Sequence, residues 1–458
     1  MKNLKIGLMF ASLALAGMVG CGGDDDGFAP NVDAAVVDGA VVPDAPPGAP
    51  DAGPMNIDVN ADITTNTTWT YPNTYFLKKH VFVKGGATLT IEAGVIVKGT
   101  LATSLVITRE GKINAVGTKE RPILFTSAKD APNRAPGDWG GIVLLGKAKI
   151  NDTAGELGIE GFPAGTADVL YGGNDDTHNC GTIKYARVEF PGFVLENNKE
   201  LNGISVGACG SQTKLEFIQI HKSSDDAIEF FGGTAGISHA VLDQGIDDGL
   251  DWDFGWSGKV QFVVIQTGQG DGECGFEADN HPTSFDLLPR ATPTIYNATL
   301  IGPTNPTGKT KIGMLFRRGT AGQVFNTIVT GYNGLPIDVR DAASVAQTPA
   351  TLFVKNSIFF GNPLQAAWND VTDNDGNFDE GAYFRTAAFN NKEVDPKLPT
   401  GAFDFTTPSF KPAGDSPALV SGNAAVPDAS KGFDATATFI GAIGADDWTA
   451  GWTSYPQN

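Results

Sequence analysis

Ser223-Ser224-Asp225-Asp226-Ala227-Ile228-Glu229-Phe230-Phe231-Gly232 returns 22 residues later as Gly245-Ile246-Asp247-Asp248-Gly249-Leu250-Asp251-Trp252-Asp253-Phe254-Gly255. A unit this short has too little apolar surface to bury alone and must stack on its neighbours, so the period is that of one coil of a β-solenoid. A looser copy follows as Glu273-Cys274-Gly275-Phe276-Glu277-Ala278-Asp279-Asn280, and weaker ones lie at Ile312-Gly313-Met314-Leu315-Phe316 and Leu335-Pro336-Ile337-Asp338. In that register Ile228, Leu250, Phe276, Met314 and Ile337 form an inward apolar stack. Glu229, Asp251, Glu277 and Asp338 line its flank.

Outward from the repeat, short runs of period two recur with turns rich in Gly, Asn and Asp, while long helical periodicity is absent. Leu89, Ile91, Val95 and Val97 alternate with Thr90, Glu92, Ile96 and Lys98; buried strands are predicted at 122–126 and 142–145, and further runs at 183–190, 215–220, 260–265, 294–301, 324–330 and 352–360. Together with 58 glycines, this pattern reads as an all-β chain.

The N-terminus predicts export. Lys2 and Lys5 precede an apolar run from Ile6 to Val19 that is too short for a bilayer core of about 30 Å and ends at Met18-Val19-Gly20-Cys21. The last four residues resemble a bacterial lipobox, which makes residues 1–20 a lipoprotein signal peptide and Cys21 the lipidation site. Residues 21–55, rich in Asp, Ala and Pro, cannot bury enough apolar surface to offset their ordering entropy and are expected to form a disordered tether. The β-helix is assigned to residues 56–458. An outer-membrane lipoprotein, anchored through that lipid and facing either the cell surface or the periplasm, is the localisation this implies.

An ordered set of motifs carries a family resemblance. It comprises Thr67-Thr68-Trp69-Thr70, Leu89-Thr90-Ile91-Glu92-Ala93-Gly94, Gly137-Asp138-Trp139-Gly140-Gly141, Tyr171-Gly172-Gly173, Glu229-Phe230-Phe231-Gly232-Gly233-Thr234 and Trp448-Thr449-Ala450-Gly451-Trp452-Thr453. The set resembles a family of bacterial exported right-handed parallel β-helix proteins, many of them lipoproteins, over essentially everything after the tether. The resemblance implies a single-stranded right-handed parallel β-helix with loop insertions and a C-terminal cap. A transporter label sometimes attached to that family conflicts with the lack of membrane-length apolar segments here.

The chain carries 32 basic and 52 acidic residues, a net charge of −20. Like charges repel, so nucleic acid, anionic lipid and acidic glycan are disfavoured as partners, and cations are favoured. An acid repeated once per coil puts carboxylates at the strand spacing of about 4.8 Å, where a hard cation with oxygen ligands relieves the repulsion. Asp226, Glu229, Asp248, Asp251 and Glu277 are the metal candidates, with structural Ca²⁺ as the ion. The alternative is that the Asp pairs cap turns. A second calcium candidate is Asp373-Asn374-Asp375-Gly376-Asn377-Phe378-Asp379-Glu380, with ligands Asp373, Asp375, Asn377 and Asp379. It lacks the Gly and closing Glu of an EF-hand.

Among the remaining cysteines, Cys180 and Cys209 lie 29 residues apart, close to one coil plus a loop, and are expected to form a disulfide in an oxidising compartment, leaving Cys274 free. Phe231, Trp252 and Trp256 cluster at the acidic repeats, either as a sugar platform or as core aromatics. Trp448, Trp452 and Tyr455 are expected to close the open end of the solenoid.

Three function classes follow. The favoured one is a non-enzymatic glycan- or protein-binding module at the envelope. The second is a carbohydrate-active enzyme, a hydrolase or lyase, using Asp225, Asp226, Asp247 and Asp248 as paired carboxylates. Against it, the Gly-His-Gly and Arg-Ile-Lys motifs of the polygalacturonase-like hydrolases that Ser224-Asp225-Asp226-Ala227-Ile228 resembles are missing, although Arg317 and Arg318 lie downstream. The third is a purely structural surface protein.

Overall fold

In the computed structural model, which describes residues 53–163, 165–196, 199–362 and 373–458, the 22-residue register is the pairing register. Ile204, Ile228 and Leu250 stack rung on rung in parallel, and Phe276, Met314 and Ile337 continue the column. Five of these six side chains belong to the repeats and the preceding Ile204 extends the column; all are fully buried. Side chains two residues on share the same face, so Val206, Phe230, Trp252, Ala278, Phe316 and Val339 make a second inward column.

Each coil contributes to two long parallel sheets. Nine strands from Val81–Val83 to Ile337–Val339 form one, and sixteen strands that start at Asn56–Val59 form the other. The chain is therefore a parallel β-helix, and the described residues belong to one compact unit, Ala52–Asn458. Signal peptide, lipidation at Cys21 and most of the tether concern residues outside those described. No helix among the described residues is long and apolar enough to cross a membrane.

The longer sheet bends once per coil at a residue in the left-handed region: Tyr185, Phe217, His239, Phe262, Asn297, Asn326 and Asn356, with φ between 47° and 62°. Asn accepts this conformation readily, whereas aromatic residues and His do so at a cost. Ring contacts offset it: Tyr185 stacks on Phe217 at 4.5 Å and Phe217 on His239 at 4.3 Å, and His239 lies tilted against Phe262 at 4.6 Å between centroids. The Cys180–Cys209 disulfide joins the start and end of one coil, and Cys274 is a buried free thiol.

The C-terminal aromatics do not close the open end. Phe384 and Phe389 do that, entering the central core after the last coil. The chain then returns along the outer face of the bent sheet as a strap. Trp452 packs edge-on against Tyr185 and Phe217, Trp448 against Phe217 and His239, and Tyr455 against His221. Outward polar side chains hold the strap: Gln219 exchanges two 2.8 Å hydrogen bonds with Ser454, Gln266 donates to Ala402 and Asp404, and Asn326 bonds both backbone groups of Ala425. The correction has a simple cause. An aromatic next to an exposed ladder of rings buries more area there than over a single end coil.

Candidate acidic site on the nine-stranded sheet

Alternation along Leu250–Asp253 sends Leu250 and Trp252 inward and Asp251 and Asp253 to the outer face. Parallel pairing then builds the column Ser205, Glu229, Asp251, Glu277, Leu315, Asp338. Outward does not mean exposed. Glu229, Glu277 and Asp279 are buried, and Asp251 is half-buried. Over Glu229 lies Glu160, from the excursion between two coils, with its carboxyl in hydrogen-bond reach; Asn202 Nδ2 donates to Glu229 Oε2 at 2.7 Å.

One carboxylate oxygen from each of Asp226, Glu229 and Asp251 lies within 4.8 Å of the others. Among the described residues, Asp251 Oδ1 and Asp253 Oδ1 are shielded from solvent and have no hydrogen-bond partner. Burial, reinforced by neighbouring carboxylates, drives the Glu229, Asp251 and Asp253 carboxyls well above the ordinary range. Burial also lifts Glu160 to about 7, with Glu200 adding to the effect and the bond to Glu229 opposing it. Such a set either holds protons or holds a hard cation.

The sequence-derived groups separate here. Asp226 Oδ1 accepts from the Asp248 N–H at 3.0 Å, and Asp248 Oδ1 accepts from the Cys274 N–H at 2.5 Å, so each aspartate caps the turn of the next coil. Asp225 and Asp247 approach Asp226 in a second cluster, and Asp247 also pairs with Lys309 at 2.9 Å. Asp248 and Glu277 meet at Cys274. Glu277 is bridged by Arg317, which with Arg318 also clamps Asp279 at 2.8 and 2.6 Å.

The aromatic platform is corrected. Trp252 and Trp256 are fully buried inside the coil, where Trp256 stacks on Phe230 at 4.3 Å and donates to Ala235 O. Phe231 points outward but is covered by Tyr171 at 5.9 Å. The calcium loop is corrected too. Asn377 and Asp379 are exposed, Asn377 in a turn whose N–H donates to Asp375 and Asp379 capping the helix Glu380–Phe384. Asp373 instead joins Asp338 and Glu380.

Asp253 and Asp279, outside the sequence-derived metal set, stand two residues past Asp251 and Glu277 on the same face, a signal the period-two rule carries. For Glu160 the sequence has no signal, because an excursion brings it in.

A family model described as a pectate-lyase-like beta helix domain matches residues 61–453. No curated protein and no solved structure gives a significant match. With parallel coils throughout and the match covering all but the ends, the chain belongs to the pectate-lyase-like β-helix domain family.

Proposed function

We propose that this protein is a non-enzymatic, glycan-binding β-helix of the cell envelope whose acidic column holds Ca²⁺. The observation that carries the reading is the meeting of Asp226, Glu229 and Asp251, with Asp251 Oδ1 shielded and unpartnered among the described residues. Three carboxylates forced together at one strand spacing are stabilised by a divalent cation, and an oxygen-only set selects a hard one. A bound ion can then take sugar hydroxyls or a sugar carboxylate into its remaining positions, which reconciles an acidic face with an acidic glycan. The family match supports a carbohydrate ligand.

The test is retention on immobilised neutral and acidic polysaccharides with Ca²⁺ and with chelator. The wild type should be retained only with Ca²⁺, and Asp251→Asn should weaken it at least tenfold, equivalent to about 1.4 kcal/mol. Binding that survives both chelation and the substitution would overturn the reading.

Glycan cleavage is the second reading. One observation favours it: burial lowers the pKa of Arg317, beside Glu277 and Asp279, in a chain of this family. In its neutral guanidine form, which burial favours over the cation, Arg317 would take the proton from the carbon next to a uronate carboxylate, while the adjacent C–O glycosidic bond breaks and its electron pair leaves with the sugar oxygen. Release of unsaturated products, abolished in Arg317→Lys, would favour cleavage over binding.

Anchoring through Cys21 is part of the same proposal. Cys21→Ala should move the protein from the membrane fraction to the soluble one with an unchanged circular dichroism spectrum. Full membrane retention of that variant, with no lipid on the wild type by mass spectrometry, would remove the anchor.

A further inference from the structure

The last rung of the nine-stranded sheet, Ile337–Val339, puts Ile337 and Val339 into the core and Asp338 outside, where Asp338 accepts from Arg340 Nη2 at 2.7 Å and is 1% exposed. The chain returns to this rung at Asn374, whose N–H donates to Arg340 O and whose carbonyl accepts from Ala342 N. The helix Glu380–Phe384 follows. Glu380 Oε1 accepts from the Val339 N–H at 3.2 Å, a group at the end of the stack with no further rung among the described residues to pair with, and Phe384 seals the core.

This closure gathers carboxylates. One oxygen each from Asp338, Asp373 and Glu380 lies within 4.8 Å of the others, and the Asp373 carboxyl also reaches that of Asp375. Glu380 is 0% and Asp375 5% exposed. Among the described residues, Glu380 Oε2, Asp375 Oδ2 and both Asp373 oxygens are shielded from solvent without a hydrogen-bond partner. Among the described residues, the unpartnered oxygens of Asp373, Asp375 and Glu380 thus gather beside Asp338, which Arg340 contacts, and the four carboxylates come from two separate stretches of chain.

We propose that Asp338, Asp373, Asp375 and Glu380 form a calcium site that clasps the terminal cap onto the last coil. The donors are all oxygen, which selects a hard cation. They are shut away from water, whereas Mg²⁺ keeps several waters, so Ca²⁺ is the fitting ion. This clasp lies at the end of the solenoid and stands whether or not the acidic column binds metal. A solenoid needs its terminal core covered, and the clasp makes that cover depend on calcium.

The measurement is amide hydrogen exchange in Glu380–Phe384 on the full chain, chelator-treated and then titrated with Ca²⁺ at pH 7.5, with bound ions counted by equilibrium dialysis. At ten times Kd, local opening should slow about tenfold in the wild type, by mass action on the closed form. The same slowing is expected in Asp251→Asn, which alters only the column. Glu380→Gln combined with Asp373→Asn should bind one calcium fewer and lose the protection. If the double variant does not fold, Asp375→Asn alone serves, with protection requiring at least tenfold more Ca²⁺. Failure of the wild type to respond, equal protection in the variants, or an equal response to Mg²⁺ at the same concentration would each overturn the clasp. Loss of the response in Asp251→Asn would overturn it as well, by assigning the calcium effect to the column.

Discussion

Leu250→Asp should leave no folded protein. Leu250 is 0% exposed, stacked between Ile228 below and Phe276 above in the apolar core. Removing its apolar contacts costs about 2–5 kcal/mol, and burying an unpaired carboxylate costs several more. Total stability of a domain is on the order of 5–15 kcal/mol, and a rung that cannot stack breaks both of its interfaces. Asp251→Asn, one position along and on the outer face, should fold normally. Circular dichroism and protease resistance of the two purified variants check the contrast. A folded, protease-resistant Leu250→Asp would show that this column is not the core.

Freed of divalent cations, the protein should lose stability as the pH rises from about 5 to about 8. Burial, with neighbouring carboxylates, lifts Asp225 to about 8 and Asp248 to about 7, and burial lifts Glu380 to about 8. Asp279 and Asp373 are likewise raised to about 7, chiefly by burial. In the unfolded chain these groups titrate near 4. Between those values the folded state binds more protons than the unfolded one, so the slope of unfolding free energy against pH is negative.

His221 adds to the same trend. Burial lowers its pKa, but Asp243 at 2.5 Å more than compensates and the net shift is upward, so the stability it contributes is also lost as pH rises. The acid limb has the opposite sign. Backbone and hydroxyl donors from Thr406 and Thr407 hold Asp404 down at about 2, and that contribution disappears as pH falls below about 4. With several groups acting together, the melting temperature in chelator should fall by roughly 10 °C or more between pH 5 and pH 8. Saturating Ca²⁺ should remove most of that fall, since the ion replaces the protons. A melting temperature that is flat or rises with pH in chelator would contradict the protonated, cation-seeking state of these clusters.

The strength of the sequence reading lay in one repeat. Two residues spaced by 22 and sharing a face fixed which residue sits on which, so that even the weak copies at Met314 and Ile337 fell in the observed column. The same rule carried further would have put Trp252, two positions from Leu250, in the core rather than on a sugar platform. Phe231 could not be placed by it, since period two sends Phe231 outward and only the packing of Tyr171 covers it. The aromatic corner of Tyr185, Phe217, His239 and Phe262 is not legible in the sequence, because a left-handed φ at such residues has no local signature and is stabilised by ring contacts between coils.

By itself, then, the sequence determined the solenoid, its period, its inward column and the acids standing beside it, because these follow from stacking a short amphipathic unit on copies of itself. Only the tertiary structure decided what those acids face. Glu160 reaches Glu229 from an excursion, Arg317 closes over Glu277 from the next coil, and Asp373 and Glu380 meet Asp338 across a gap of more than thirty residues. The C-terminal strap was decided the same way, by the outward Gln and Asn side chains it finds on coils far back in the chain. Local periodicity encodes the contacts between successive rungs. Contacts made by insertions and termini depend on where the finished stack puts its surfaces, and no short window of sequence contains that information.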